Sequence, residues 1–264
     1  MPDTVVITRP AAQAGPLATS VAALGLPVRV LPLLEIHALE GAQLDQLLAG
    51  LGTLHQHDLV VFVSPNAIDC VFAHLPSWPP GLPLAVVGEG SRLALAAHGV
   101  TDANAVIHRP APHAPSDSEH LLQALDLPAL RGRRVLIVRG DGGRDFLADA
   151  LRAAGAEVSF VTAYRRAPPA LTPGMRATLE QLLQHNNDWI ITSSEALRGL
   201  LSLLGEIDRS NGGGQDGIVV KMQQQHLIVP HARIAQSAQA LGFARVTLTR
   251  SGDAGVLAAL QSQA

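Results

Sequence analysis

The sequence predicts an α/β protein of two similar lobes, each a parallel sheet covered on both faces by helices. Three observations carry this. Short apolar runs alternate with longer amphipathic stretches from end to end, the pattern of consecutive βα units. Hydrophobic residues make up 47 % of the chain but aromatics only 3 %, so Leu, Val, Ile and Ala must fill the core, as they do in buried parallel strands. The second half also echoes the first at an offset of about 130 residues.

Strands are expected at 5–8, 28–33, 58–63, 84–87, 105–108, 134–138, 158–163, 188–192, 226–229 and 246–249, with helices filling most of the gaps. Several helices open on a capping residue just after a strand, as in Ser64-Pro65-Asn66-Ala67, Ser116-Asp117-Ser118-Glu119 and Ser193-Ser194-Glu195-Ala196. Val5-Val6-Ile7-Thr8-Arg9-Pro10 matches Val135-Leu136-Ile137-Val138-Arg139-Gly140, and Val61-Phe62-Val63-Ser64 matches Ile190-Ile191-Thr192-Ser193. The helix ending at Gly99 likewise matches the one ending at Gly242. Each half thus supplies strands for one flavodoxin-like, doubly wound sheet, and two such lobes enclose a cleft. Segments 31–37 and 161–169 occupy equivalent repeat positions as connectors. The pattern leaves open whether each half folds as its own lobe or the chain crosses over twice there. Segment 206–225 is polar, contains Gly212-Gly213-Gly214, and reads as a solvated loop insertion.

Charge and composition narrow the function. A net charge of -3 lacks the basic excess of a nucleic-acid groove, so the expected partner is a small molecule. Cys70 is the only cysteine, which excludes an internal disulfide and fits a cytoplasmic location. Neither a signal peptide nor a membrane span is expected, because the start is not basic and no apolar run approaches about 18 residues. Gly88-Glu89-Gly90-Ser91 lacks the third glycine of a dinucleotide fingerprint, and Lys221, the only lysine, serves no P-loop. The 11 histidines show no metal spacing, and no serine sits in a nucleophile elbow.

In open α/β sheets ligands collect at the carboxyl ends of the strands, where helix N-termini present free N–H groups. Those ends carry Arg9, Ser64, Asn66, Gly88, Ser91, Arg139, Gly140 and Ser193, a donor set suited to carboxylates or phosphates. Any one of them serves equally as an ordinary cap or tight turn, and recurrence in both halves is what argues for a site. Further arginines, Arg109, Arg144, Arg165, Arg166 and Arg250, stand near strand ends. Tyr164, the only tyrosine, lies in the second connector. Protonated at neutral pH, it can donate to a departing oxygen or serve as a buried structural tyrosine.

These pieces, in this order, resemble the uroporphyrinogen-III synthase family over nearly the whole chain. The carriers are Ile7-Thr8-Arg9-Pro10, Phe62-Val63-Ser64-Pro65-Asn66-Ala67, Ala85-Val86-Val87-Gly88 with Ser91, Asp117-Ser118-Glu119, Arg139-Gly140, Tyr164, and Arg233-Ile234-Ala235 before Leu241-Gly242-Phe243. The resemblance implies a monomeric, cofactor-free and metal-free lyase that closes hydroxymethylbilane, a linear tetrapyrrole with eight carboxylates, to uroporphyrinogen III. Water is lost and the last ring is inverted. It also implies that the chain crosses between the lobes twice through a two-stranded linker, giving lobes of 1–36 plus 166–264 and 37–165. By position, Tyr164 resembles the family's linker tyrosine, proposed to assist loss of the substrate hydroxyl. Ser91 replaces a frequent threonine, and Ser64 and Ser193 match serines facing the cleft. Where many relatives carry a hydroxyl-rich turn, this chain reads Val229-Pro230-His231-Ala232-Arg233, which leaves His231 or Arg233 as the anion donor there. Two other readings share these features: a two-lobed protein that binds an acidic small molecule without converting it, and a nucleotide-sugar transferase, for which 264 residues is short.

Overall fold

In the computed structural model the described residues are 2–112, 114–212 and 217–262. The strands are β1 (Val5–Ile7), β2 (Val28–Val30), β3 (Glu35–His37), β4 (Leu59–Phe62), β5 (Leu84–Val86), β6 (Ile107–His108), β7 (Arg134–Gly140), β8 (Glu157–Ala167), β9 (Asp188–Ile190), β10 (His226–Val229) and β11 (Arg245–Leu248). The chain divides into two compact units, Met1–Glu35 with Ala167–Ala264, and Ile36–Arg166.

In the first unit the strand order is β11-β10-β9-β1-β2, parallel throughout. Numbered within the unit and read from β2, this is the flavodoxin-like order 2-1-3-4-5. Alternate side chains feed opposite faces, as strand geometry requires. Val6, Trp189, Ile191, Leu227 and Val229 pack into one cluster, and Val5, Ile7, Ile190 and Ile228 into the other. Both faces are dry, which is why these strands read as continuous apolar runs.

The second unit repeats the scheme with its chain order permuted. Its order is β3-β8-β7-β4-β5-β6, in which β8, β7, β4, β5 and β6 pair in parallel and β3 lies beside β8 at the edge. If β7 and β8 are taken as first and second, the order is again 2-1-3-4-5. The chain enters this unit through β3 and leaves through the end of β8, and those two strands are sheet neighbours. Asp58 joins the amino ends of β4 and β7, accepting from Arg134 N–H at 2.8 Å and from Arg133 at 3.2 Å.

One expectation is corrected. Segment 206–225 is not a loop insertion: helix Ser194–Ser210 runs through its first residues and helix Ile218–Gln223 through its last. Ile207 and Met222 are fully buried among the Leu200, Leu204 and Trp189 side chains. The Asp208 carboxylate accepts from Ile218 N–H at 2.7 Å and Val219 N–H at 3.2 Å, anchoring the second helix to the first. Gly212 lies at the turn that follows the first helix, and residues 213–216 lie outside the described residues.

Two tests of stability follow from these ties. Asp208→Ala removes both acceptors and should lower the urea unfolding free energy by about 2 kcal/mol, with faster amide exchange at 218–223. The Arg134 N–H, aided by the Arg133 guanidinium, holds the Asp58 carboxyl below its ordinary range. A carboxyl depressed on folding stabilises above its unfolded pKa and loses that contribution as pH falls through the folded value. The gap between the urea midpoints of the parent and Asp58→Asn should therefore be widest at neutral pH and close below about pH 4.

Candidate functional site

Parallel pairing sends every carboxyl end in a sheet to one edge, and the crevice opens where successive connections leave for opposite faces. In the second unit that point lies between β7 and β4, and three expected residues meet there. Ser64 follows β4 and caps helix Pro65–Phe72, its Oγ accepting from Ala67 N–H at 3.2 Å. Tyr164 lies in β8 opposite Gly140 of β7, across a register shift at Arg139/Gly140. Its hydroxyl is 3.0 Å from Ser64 Oγ.

Gly140 makes this approach possible. A Cβ there would sit 2.8 Å from Tyr164 Cε2 and 2.9 Å from Cζ, so any side chain would push the ring off the strand. The tyrosine is 4 % exposed and belongs to the core cluster of its unit, while Ser64 above it is only half-buried. Asp141 continues the turn, its N–H donating to Tyr164 O and its carboxylate accepting from Arg166 N–H at 3.0 Å.

The other expected residues of this unit stand at neighbouring strand ends. Asn66 lies in the first turn of the helix that Ser64 caps, half-buried. Gly88 precedes helix Glu89–Ala97, and a Cβ on it would collide with Ser116, so the loop holding Ser116 packs directly on the glycine backbone. Ser91, in the first turn of that helix, is 2 % exposed, and its Oγ has no partner among the described residues. Hydrogen bonds from Arg92 hold the neighbouring Glu89 carboxyl below the usual range. Arg139 pairs with Asp145 at 2.7 Å and lies over the Phe160 ring, and Arg144 pairs with Glu119 at 3.0 Å. Together with Gly142, Gly143 and Ser118, these arginines line a cavity of about 120 Å³.

In the first unit the crevice lies between β1 and β9. Thr8 Oγ1 donates to Ile190 O at 2.7 Å, tying the two strands at their ends. Arg9 pairs with Asp253 at 2.6 Å. Ser193 caps helix Ser194–Ser210 through Glu195 and Ala196 N–H, and Ser194 Oγ beside it is enclosed without a partner among the described residues. His231 and Arg233 follow β10, His231 as the residue before helix Ala232–Ala240 with its Nδ1 3.4 Å from Ser251 Oγ. A larger cavity of about 480 Å³ lies at the opposite, amino-terminal end of this sheet, lined by Asp3, Arg29, His185 and Asn187 among others.

Several of these features are not in the sequence reading. The packing of Ser116 on Gly88 and the pairing of Arg139, Arg144 and Arg9 with Asp145, Glu119 and Asp253 emerge only from the fold, because nothing in local spacing marks a serine that will rest on a given glycine or an acid that will neutralise a given arginine. Among the described residues no group of three potential metal ligands gathers, and no helix is long and apolar enough to cross a membrane.

Known proteins resemble this chain along most of its length. The family model for uroporphyrinogen-III synthase HemD matches residues 15–253. The uroporphyrinogen-III synthase of Salmonella typhimurium is 30 % identical over 94 % of this chain and 96 % of its own length. That of Escherichia coli is 29 % identical over the same shares. Among solved structures, uroporphyrinogen-III synthetase from Helicobacter pylori superposes with a TM-score of 0.61 at 15 % identity, over 100 % of both chains. A mutant uroporphyrinogen III synthase from Thermus thermophilus gives 0.57 at 14 %, over 98 % of this chain and 97 % of that one. At such identity the structural likeness speaks for the fold.

Gly140→Ala tests the site as built. It should displace the Tyr164 ring, lower stability by about 1 to 3 kcal/mol in urea, and impair activity beyond what lost stability explains.

Proposed function

This chain belongs to the uroporphyrinogen-III synthase family, and from that premise we propose how its strand ends carry out the reaction. The chemistry is cyclisation of hydroxymethylbilane to uroporphyrinogen III in tetrapyrrole biosynthesis, with loss of water and inversion of the last ring. A pyrrole nitrogen can expel the terminal hydroxyl unaided, and the bilane can close unaided to the wrong isomer. The enzyme's task is therefore mainly geometric: it must hold a flexible polyacid so that the last ring is attacked at its substituted carbon. Orientation of this kind lowers barriers by about 7 to 11 kcal/mol in well-aligned cases.

The observation that carries the proposal is the Ser64–Tyr164 hydroxyl pair at the β7/β4 switch point, lodged on Gly140. This pair serves the departing hydroxyl of the substrate. In the second unit Asn66, Gly88, Ser91 and Arg139 take carboxylates of the bilane, and in the first unit Arg9, Ser193, His231 and Arg233 do so. The arginines meet the substrate as guanidiniums already matched to Asp145 and Asp253, so a substrate carboxylate competes for a fork that is oriented in advance. We further propose that the protein acts as a monomer in the cytoplasm, needs no cofactor or metal, and has no nucleic-acid or membrane partner. Its net charge of -3 supports the exclusion of nucleic acid.

The deciding experiment is to give freshly generated hydroxymethylbilane to the pure protein, oxidise the product, and separate isomers I and III. The parent should yield isomer III almost alone. Tyr164→Phe should lower turnover by roughly tenfold, the cost of one hydrogen bond in the transition state. A Tyr164→Phe protein with parental rate and pure isomer III removes the tyrosine from the mechanism. A parent that leaves the isomer mixture of buffer refutes the assignment and favours simple binding of the polyacid.

A further inference from the structure

We propose that Ser64, and not Tyr164, is the hydroxyl that meets the departing oxygen, while Tyr164 acts behind it to fix where the Ser64 proton points. The proposal rests on the uroporphyrinogen-III synthase reading and adds the direction of the hydrogen bond within the pair.

Donor and acceptor accounting gives that direction. Ala67 N–H can only donate, so it occupies one lone pair of Ser64 Oγ. The 3.0 Å contact between the two hydroxyls has room for one hydrogen, from either side. Were Ser64 the donor, the phenolic hydrogen would need another acceptor, and Tyr164 Oη has none among the described residues. The ring is 4 % exposed, set against Gly140 within the core cluster, so water is a poor substitute. A buried O–H without an acceptor carries its full desolvation penalty. Tyr164 therefore donates, Ser64 Oγ accepts twice, and the serine hydrogen is left for a partner outside the pair.

Position agrees with this order. Ser64 is half-buried where Tyr164 is enclosed, and it stands at the N-terminus of helix Pro65–Phe72, whose dipole favours negative charge developing on a leaving oxygen. As the C–O bond breaks, its electron pair goes to oxygen and the pyrrole nitrogen supplies the compensating pair. The oxygen takes the Ser64 hydrogen and leaves as water. Ser64 is refilled from Tyr164, and the proton that the pyrrolic nitrogen gives up returns through Ser64 to the phenol. Ser64 is then a catalytic residue and Tyr164 a positioning residue.

The protein holds a single tyrosine, so the tyrosine Fermi doublet in its Raman spectrum reports Tyr164 alone. The intensity ratio of that doublet separates a phenol that donates from one that accepts. The parent should show the donor ratio and lose it in Ser64→Gly, a residue that caps helices nearly as well as serine. Kinetically, Ser64→Gly should lower kcat about a hundredfold with little change in KM. Tyr164→Phe should lose less, and the double variant should match Ser64→Gly because the hydroxyls act in series. Ser64→Thr, which restores hydroxyl and cap, should recover kcat. An acceptor ratio on an active parent overturns the proposal and leaves the family reading intact, as does a Tyr164→Phe loss larger than that of Ser64→Gly. A parent that yields the isomer mixture of buffer overturns both.

Discussion

Parallel pairing within each sheet is the constraint on which the rest depends. Once β7 pairs with β4 and β8 in parallel, their carboxyl ends must share one edge, and residues as distant as Ser64, Gly140 and Tyr164 come together. The register shift at Arg139/Gly140 then decides which β8 side chain lies over the glycine. A slip of one residue would turn Tyr164 to the other face of its strand, since side chains alternate. The dry faces of the sheet prevent that slip: Val161 and Ala163 are committed to the same cluster as Tyr164, packed with Phe62 and Val138. Hydrophobic burial thus sets the hydrogen-bond chemistry at the strand ends.

Electrostatics follow a different logic, in which four of the strand-end arginines are matched locally. Arg9, Arg109, Arg139 and Arg144 pair with Asp253, Asp102, Asp145 and Glu119, mostly at the surface, where such pairs add little to stability. Their value lies elsewhere. A guanidinium held by a carboxylate keeps its orientation, and a second carboxylate can share or displace the first at modest cost. For a substrate with eight carboxylates, this is compatible with a chain whose own net charge is negative.

Much of the fold was legible in the sequence because buried parallel strands are apolar on both faces and carry their own signal. Strand β3 was not, since Glu35-Ile36-His37 is a short edge strand that buries little and sits inside a connector. Segment 206–225 misled because polarity counted by composition hides spacing. Leu200, Leu203, Leu204 and Ile207 form an apolar stripe at helical intervals, and the Glu206, Arg209 and Ser210 side chains lie off it. At the site, Ser64 and Gly140 could be recognised as a cap and a turn, but no local pattern says that Tyr164 lies across them. That relation depends on a pairing of strands 100 residues apart in sequence between Ser64 and Tyr164.

The repeat also shows how a duplicated scaffold divides labour. Topology makes β1 equivalent to β7, and β2 to β8, so the stretch after β2 holds in the first unit the place that Tyr164 holds in the second. That stretch is Leu31-Pro32-Leu33-Leu34, with Leu31 and Leu33 buried. The switch point of the first unit is bridged instead by Thr8 donating to the Ile190 carbonyl, a bond that uses up its hydroxyl proton inside the protein. A hydroxyl satisfied in this way has no hydrogen to offer a leaving group. The first unit thus carries a closed hydroxyl at its switch point, where the second carries the Ser64–Tyr164 pair.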